Sequence, residues 1–176
     1  MGYKSKIAII GLGPSVSLYP GTGFDLTIGV NDVWRVVKTD YLVCLDSPER
    51  FNQDRLKIIN ESTPVRFYTQ LDAWATRPDY YPIKLQYDYP KYVCRLGDKA
   101  MPKSMCSPFV ACAIAYKFHE ADRIELFGVD MTNHPLLHND TLERIKPHFT
   151  NLFKELRRRG VSVKVNGNGI LKPLNI

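Results

Sequence analysis

Lys6-Ile7-Ala8-Ile9-Ile10-Gly11-Leu12-Gly13-Pro14-Ser15 joins a short apolar run to a turn made of two glycines, a proline and a serine. The run reads as a strand over Lys6–Gly11, and the turn reads as the start of a helix. Two glycines let the backbone bend tightly and come close to a ligand. Pro14 pre-sets the backbone angle of a first helical residue, and Ser15 adds a hydroxyl. Exposed N–H groups at such a helix start bind phosphate. The same residues also suit a purely structural strand-to-helix turn. The loop is neither G-x-G-x-x-G nor a Walker A loop, since Val16 follows Ser15 and no Gly-Lys-Ser/Thr comes after. That argues against a nicotinamide dehydrogenase and against a P-loop NTPase.

Working outward, strand-like and helix-like segments alternate, which predicts α/β layers around a mostly parallel sheet. Further strands are expected at Asp25–Val30, Tyr41–Leu45 and Val65–Tyr68, at Arg123–Val129 and at Val161–Val165. A helix should run from Pro48 to about Asn60, with Ser47 as its cap. A second spans Pro108–His119, where Phe109, Cys112, Ala113 and Tyr116 recur at helical spacing and make one buried stripe. A third covers Thr141–Arg159 and ends at Gly160, where a left-handed residue suits the helix end. Residues 78–105 show no steady period. Tyr80, Tyr81, Tyr87, Tyr89 and Tyr92 lie there among prolines, as a lid-like insertion or as cover for the core rim. Residues 1–176 are therefore read as a single nucleotide-binding α/β domain with 78–105 as an irregular insertion.

With 176 residues, of which 44% are hydrophobic, the chain can pack one core without disulfides or metal. No stretch reaches the roughly 18 to 20 apolar residues of a membrane span, and the N-terminal apolar run is too short for a signal peptide. Cys44, Cys94, Cys106 and Cys112 have no paired metal-site spacing and read as free thiols. Cytoplasmic localisation is the expectation. The net charge of +6 attracts polyanions, whether a phosphorylated small molecule or nucleic acid. The one dense basic cluster, Arg157-Arg158-Arg159, suits a helix C-terminus, and no nucleic-acid-binding motif accompanies it.

Ligands of open α/β sheets bind at the carboxyl ends of the strands. Polar residues follow the strands there: Ser15, then Asn31 and Asp32, then Asp46 and Ser47, then Asp130. Asn31 can read a base or ribose through its amide, or serve as a turn residue. Asp46 can accept ribose hydroxyls or cap the next helix, and Asp130 can act in chemistry or order its own loop. His134 and His138 follow the Arg123–Val129 strand, bringing imidazoles of near-neutral pKa to this edge. Pro135 argues against the two lying on one helix as a metal pair.

Taken in order, Ile9–Ser15, the strand-end Asn31, Cys106-Ser107 before the alanine-rich Ala111–Tyr116, and Arg123–Asp130 followed by a histidine loop resemble the bacterial sialyltransferases of glycosyltransferase family 42. Similar elements occur in the related 6-hydroxymethylpterin pyrophosphokinase-like family. The resemblance implies a Rossmann-like three-layer sandwich and a metal-independent transferase, with a cytidine nucleotide-sugar as substrate and no further cofactor. It implies that Ser15 and the Gly11–Gly13 backbone hold phosphate or ribose, that Asn31 contacts the nucleotide, that Ser107 lies near sugar or phosphate, and that His138 is the general base. The chain departs from the family at Leu12, where a small polar residue is usual, and at Asp46, where an asparagine is usual. It departs again at Met131 and Thr132, where a tyrosine assisting the departing phosphate is expected.

Three functions follow. The first is a glycosyltransferase with His138 as base and a polyanionic acceptor such as nucleic acid. The second is a pyrophosphokinase-type phosphoryl transferase using a divalent metal at Asp46 and Asp130. The third is a non-catalytic protein that binds or sequesters a nucleotide.

Overall fold

The computed structural model describes residues 5–86, 96, 101–102, 104, 106–132 and 143–175. Seven strands form one sheet: β1 (Ser5–Ile10), β2 (Leu26–Val30), β3 (Tyr41–Val43), β4 (Arg66–Thr69), β5 (Tyr80–Pro82), β8 (Ala121–Phe127) and β9 (Ser162–Val165). Their spatial order is β5-β4-β3-β2-β1-β8-β9, and every neighbouring pair is parallel. A parallel sheet is covered on both faces, so its central strands carry unbroken apolar runs. Ile7, Ala8, Ile9 and Ile10 are accordingly all fully buried. The fold is the expected α/β, Rossmann-like one.

One face of the sheet carries α2 (Ser107–His119) and α3 (Lys146–Arg158). Packed between the sheet and α3, α2 buries Phe109 through Ala115 on every side rather than along one stripe. Its alanines let the backbone approach the strands closely. The other face carries α1 (Gln53–Glu61) and several short 3₁₀ turns, with Phe51, Phe67, Trp74 and Phe127 at its centre.

Three expectations change. Pro48 belongs to a separate 3₁₀ turn, Pro48–Arg50, and Phe51 is extended, so α1 begins later. Its cap is Asn52, whose Oδ1 accepts the Arg55 N–H at 3.0 Å, and not Ser47. The third helix starts at Lys146 because Pro147 fits only a first turn. The stretch expected to be irregular holds β5, which extends the main sheet, and a small parallel pair, β6 (Leu85–Gln86) with β7 (Met101–Pro102). Tyr87, Tyr89 and Tyr92 lie outside the described residues. At the opposite edge of the sheet, the Asn175 amide pairs with the backbone of Val165 and caps β9.

The chain runs outward from β1 to β5, then returns to β8 on the other side of β1. The strand order therefore reverses between β1 and β8. Such a switch point opens a crevice at the carboxyl ends of the strands.

Candidate functional site

At the switch point the loops after β1 and β8 are stitched together. Gly11 N–H donates to Phe127 O at 2.8 Å, and Gly13 N–H to Gly128 O at 2.7 Å. A side chain at Gly13 would run into Asp130 and the Gly128 carbonyl, so the two loops approach only because glycine stands there. Ser15 Oγ donates to Asp130 Oδ2 at 2.8 Å and accepts the Gly128 N–H at 2.9 Å, while Ser15 N–H also donates to Asp130 Oδ2 at 2.9 Å. Both Ser15 and Asp130 are buried. The backbone of Gly167 and Gly169 packs against Asp130, and Ile170 N–H donates to its carbonyl at 2.9 Å.

This differs from the expectation of open amides cradling a phosphate. The N–H groups of Gly11, Gly13 and Ser15 already bond within the chain, and Pro14, which has none, is exposed. Asp130 does order its loop, and Ser15 is its partner.

Asn31 and Ser107 do meet. Asn31 ends β2 in the left-handed region, at φ 52°, which asparagine tolerates better than most residues. Its N–H donates to Val43 O at 3.0 Å, and its Oδ1 accepts from Ser107 Oγ at 3.3 Å. Ser107 opens α2, so the helix N-terminus stands beside the carboxyl end of β2. Asp46 follows β3 with its side chain 30% exposed and Arg50 Nη1 3.5 Å away. Burial first, with the Asp46 charge adding to it, pushes the thiols of Cys44 and Cys106 up to about 12. Asp46 thus lies within electrostatic reach of both the end of β3 and the start of α2.

Two residues at this edge escaped the sequence reading as functional candidates. Asp32 is fully buried, and its Oδ1 accepts from Arg55 Nη2 at 2.6 Å. Arg35 Nε lies 3.7 Å from Oδ2, which has no hydrogen bond among the described residues. Arg55 also stacks over Phe51, and its guanidinium is held in the charged state first by the hydrogen bond to Asp32. The sequence marks Asp32 only as the neighbour of Asn31, and nothing local links it to a residue 23 positions away.

His134 and His138 lie outside the described residues, as do the rest of 133–142. The described chain leaves Asp130 through Met131, at φ 53°, and Thr132. Among the described residues, no three His, Cys, Asp or Glu side chains gather as metal ligands. No described helix is long and apolar enough to cross a membrane. Two open clefts, about 600 and 230 Å³, lie at the amino ends of the strands beside Arg159 and Trp34 respectively. The placement of the polar groups, and not cleft size, marks the carboxyl edge.

No protein-family model matches the chain, and no curated protein matches it in sequence. Solved structures do. The chain is similar in fold to the sialyltransferase CstII from Campylobacter jejuni. One CstII structure, in complex with cytidine-5'-monophosphate, superposes with a TM-score of 0.55 at 12% identity, covering 97% of this chain and 83% of that one. A second, in complex with CMP-3FNeuAc, gives a TM-score of 0.54 at 14% identity, covering 92% and 79%. At such identity the likeness establishes a shared α/β architecture.

Proposed function

We propose that this chain is a nucleotide-sugar-dependent glycosyltransferase that holds a cytidine nucleotide at the carboxyl edge of its sheet. The observation that carries the proposal is the meeting of Asn31 and Ser107, 76 residues apart in sequence, at 3.3 Å where β2 ends and α2 begins. The likeness to a sialyltransferase solved with CMP and with a CMP-sugar supports the choice of nucleotide. In this reading Asn31 and Ser107 contact the nucleotide, and Asp46 accepts a hydrogen bond from the ribose diol. Ser15, Gly11, Gly13, Pro14 and Asp130 shape the floor beneath it.

Transfer breaks the bond between the sugar's anomeric carbon and the phosphate oxygen, and the nucleotide departs with the electron pair. The acceptor hydroxyl oxygen bonds to the anomeric carbon and gives its proton to His138. The N-terminus of α2 offsets the charge that develops on the leaving phosphate. The net charge of +6 suits an acceptor that carries negative charge.

A calorimetric panel of CMP, UDP, GDP and ATP tests the base preference, and hydrolysis of a CMP-sugar by wild type and His138→Ala tests the chemistry. CMP should bind tightest, and the variant should lose about a hundredfold or more in turnover. Preferred binding of ATP, or unchanged turnover in the variant, would refute the corresponding part. Met131 and Thr132, standing where the family has an assisting tyrosine, favour a second reading as a nucleotide-binding protein without transfer. Tight CMP binding with no product on long incubation would select it.

A further inference from the structure

We infer that Arg55 is the phosphate-binding cation of this nucleotide site and that Asp32 is its positioning residue; the inference rests on the nucleotide-binding reading above. Arg55 lies in the first turn of α1, which starts where the chain returns from the end of β3. Its guanidinium crosses to Asp32 at the end of β2. It therefore stands at the carboxyl ends of β2 and β3 on the α1 face of the sheet, while Ser107 reaches Asn31 from the α2 face.

Three features make it more than a helix-to-sheet clamp. First, the side chain is 25% exposed, yet it is fixed by a 2.6 Å bond to a carboxylate with no exposure and by the Phe51 ring. A guanidinium already immobilised loses little freedom when an anion arrives. Second, among the described residues only Nη2 finds a hydrogen-bond partner, and Nε and Nη1 find none. The planar fork leaves donors for a phosphate, which accepts such bonds in pairs. Third, Asp32 serves two guanidinium groups, those of Arg55 and Arg35, so one buried carboxylate is shared between two cations.

The Gly11, Gly13 and Ser15 amides bond within the chain, so this cation supplies anion recognition that those amides do not. Asp32 acts through Arg55 and touches no ligand.

The test compares CMP with cytidine, which differ by the phosphate alone, titrated calorimetrically into the full-length protein. Wild type should bind CMP at least about tenfold more tightly than cytidine. Arg55→Ala should weaken CMP about tenfold and leave cytidine within about twofold, so that the two ligands become alike. Arg55→Lys keeps the charge without the fork; it should retain part of the preference, and it serves if the alanine variant fails to fold. Asp32→Asn should reduce the same ratio, and the Asp32→Asn/Arg55→Ala double variant should be no worse than Arg55→Ala alone. A clamp without a ligand role would weaken both ligands equally. An unchanged CMP-to-cytidine ratio in both Arg55 variants overturns the assignment and leaves the nucleotide site standing. A wild-type protein that binds neither ligand overturns the nucleotide reading and this inference with it.

Discussion

Asp130→Ala should unfold the switch point more than its short side chain suggests. Its buried Oδ2 accepts two hydrogen bonds from Ser15, one from the amide at 2.9 Å and one from the hydroxyl at 2.8 Å. Hydrogen bonds to a charged group contribute about 1.5–3 kcal/mol each, and losing the acceptor leaves a buried Ser15 N–H unsatisfied. Relief from burying a carboxylate offsets part of that loss, so about 3 kcal/mol is expected. In a chain of this size that lowers Tm by about 6–12 °C. Urea unfolding followed by circular dichroism measures the value, and the Ser15→Ala single and double variants complete a cycle. Because both side chains belong to one network, the cycle should show about 1–3 kcal/mol of coupling. A loss under about 0.5 kcal/mol, or strict additivity, would refute the claim that Ser15 and Asp130 lock β1 to β8.

Other predictions concern the rest of the molecule. Gly128 sits at φ 65°, and an added Cβ would meet the Gly11 carbonyl, whereas Gly160 at φ 83° has nothing within 4 Å. Gly128→Ala should therefore abolish the soluble folded protein, while Gly160→Ala costs about 1–2 kcal/mol in urea unfolding; equal effects would contradict the packing. Burial and then Arg66 hold the His119 pKa below its ordinary value, with Nε2 3.1 Å from the Tyr68 hydroxyl. The unfolded chain takes up that proton first as pH falls, so stability should decline below about pH 6.5. His119→Gln should flatten that limb, and an unaltered slope would rule His119 out as its source. Burial pushes the thiols of Cys44 and Cys112 up. Iodoacetamide at pH 8 should spare both in the native protein and label both in urea, as read by mass spectrometry.

The sheet was legible because its strands are short apolar runs, Ile7–Ile10 above all, each closed by glycine or a polar residue. The carboxyl-edge rule singled out Asn31, and the family resemblance added Ser107, without any knowledge of their contact. Local sequence could not show that Asn52 outcompetes Ser47 as a cap, since both residue types cap helices and Phe51 decides between them by its extended backbone. Nor could it show that the Ser15 amide faces a carboxylate 115 residues away and not solvent. The Asp32–Arg55 pair has the same character: the strand pattern puts Asp32 at the carboxyl edge but gives it no partner, and Arg55 alone reads as an ordinary surface charge. Interactions set by tertiary approach leave no periodic trace.

A crystal structure with CMP bound would locate the nucleotide. It should lie across the carboxyl ends of β1–β3, against Asn31 and Ser107, with its phosphate on Arg55. A nucleotide seated at the amino edge of the sheet, in the cleft beside Tyr116 and Arg159, would contradict that placement.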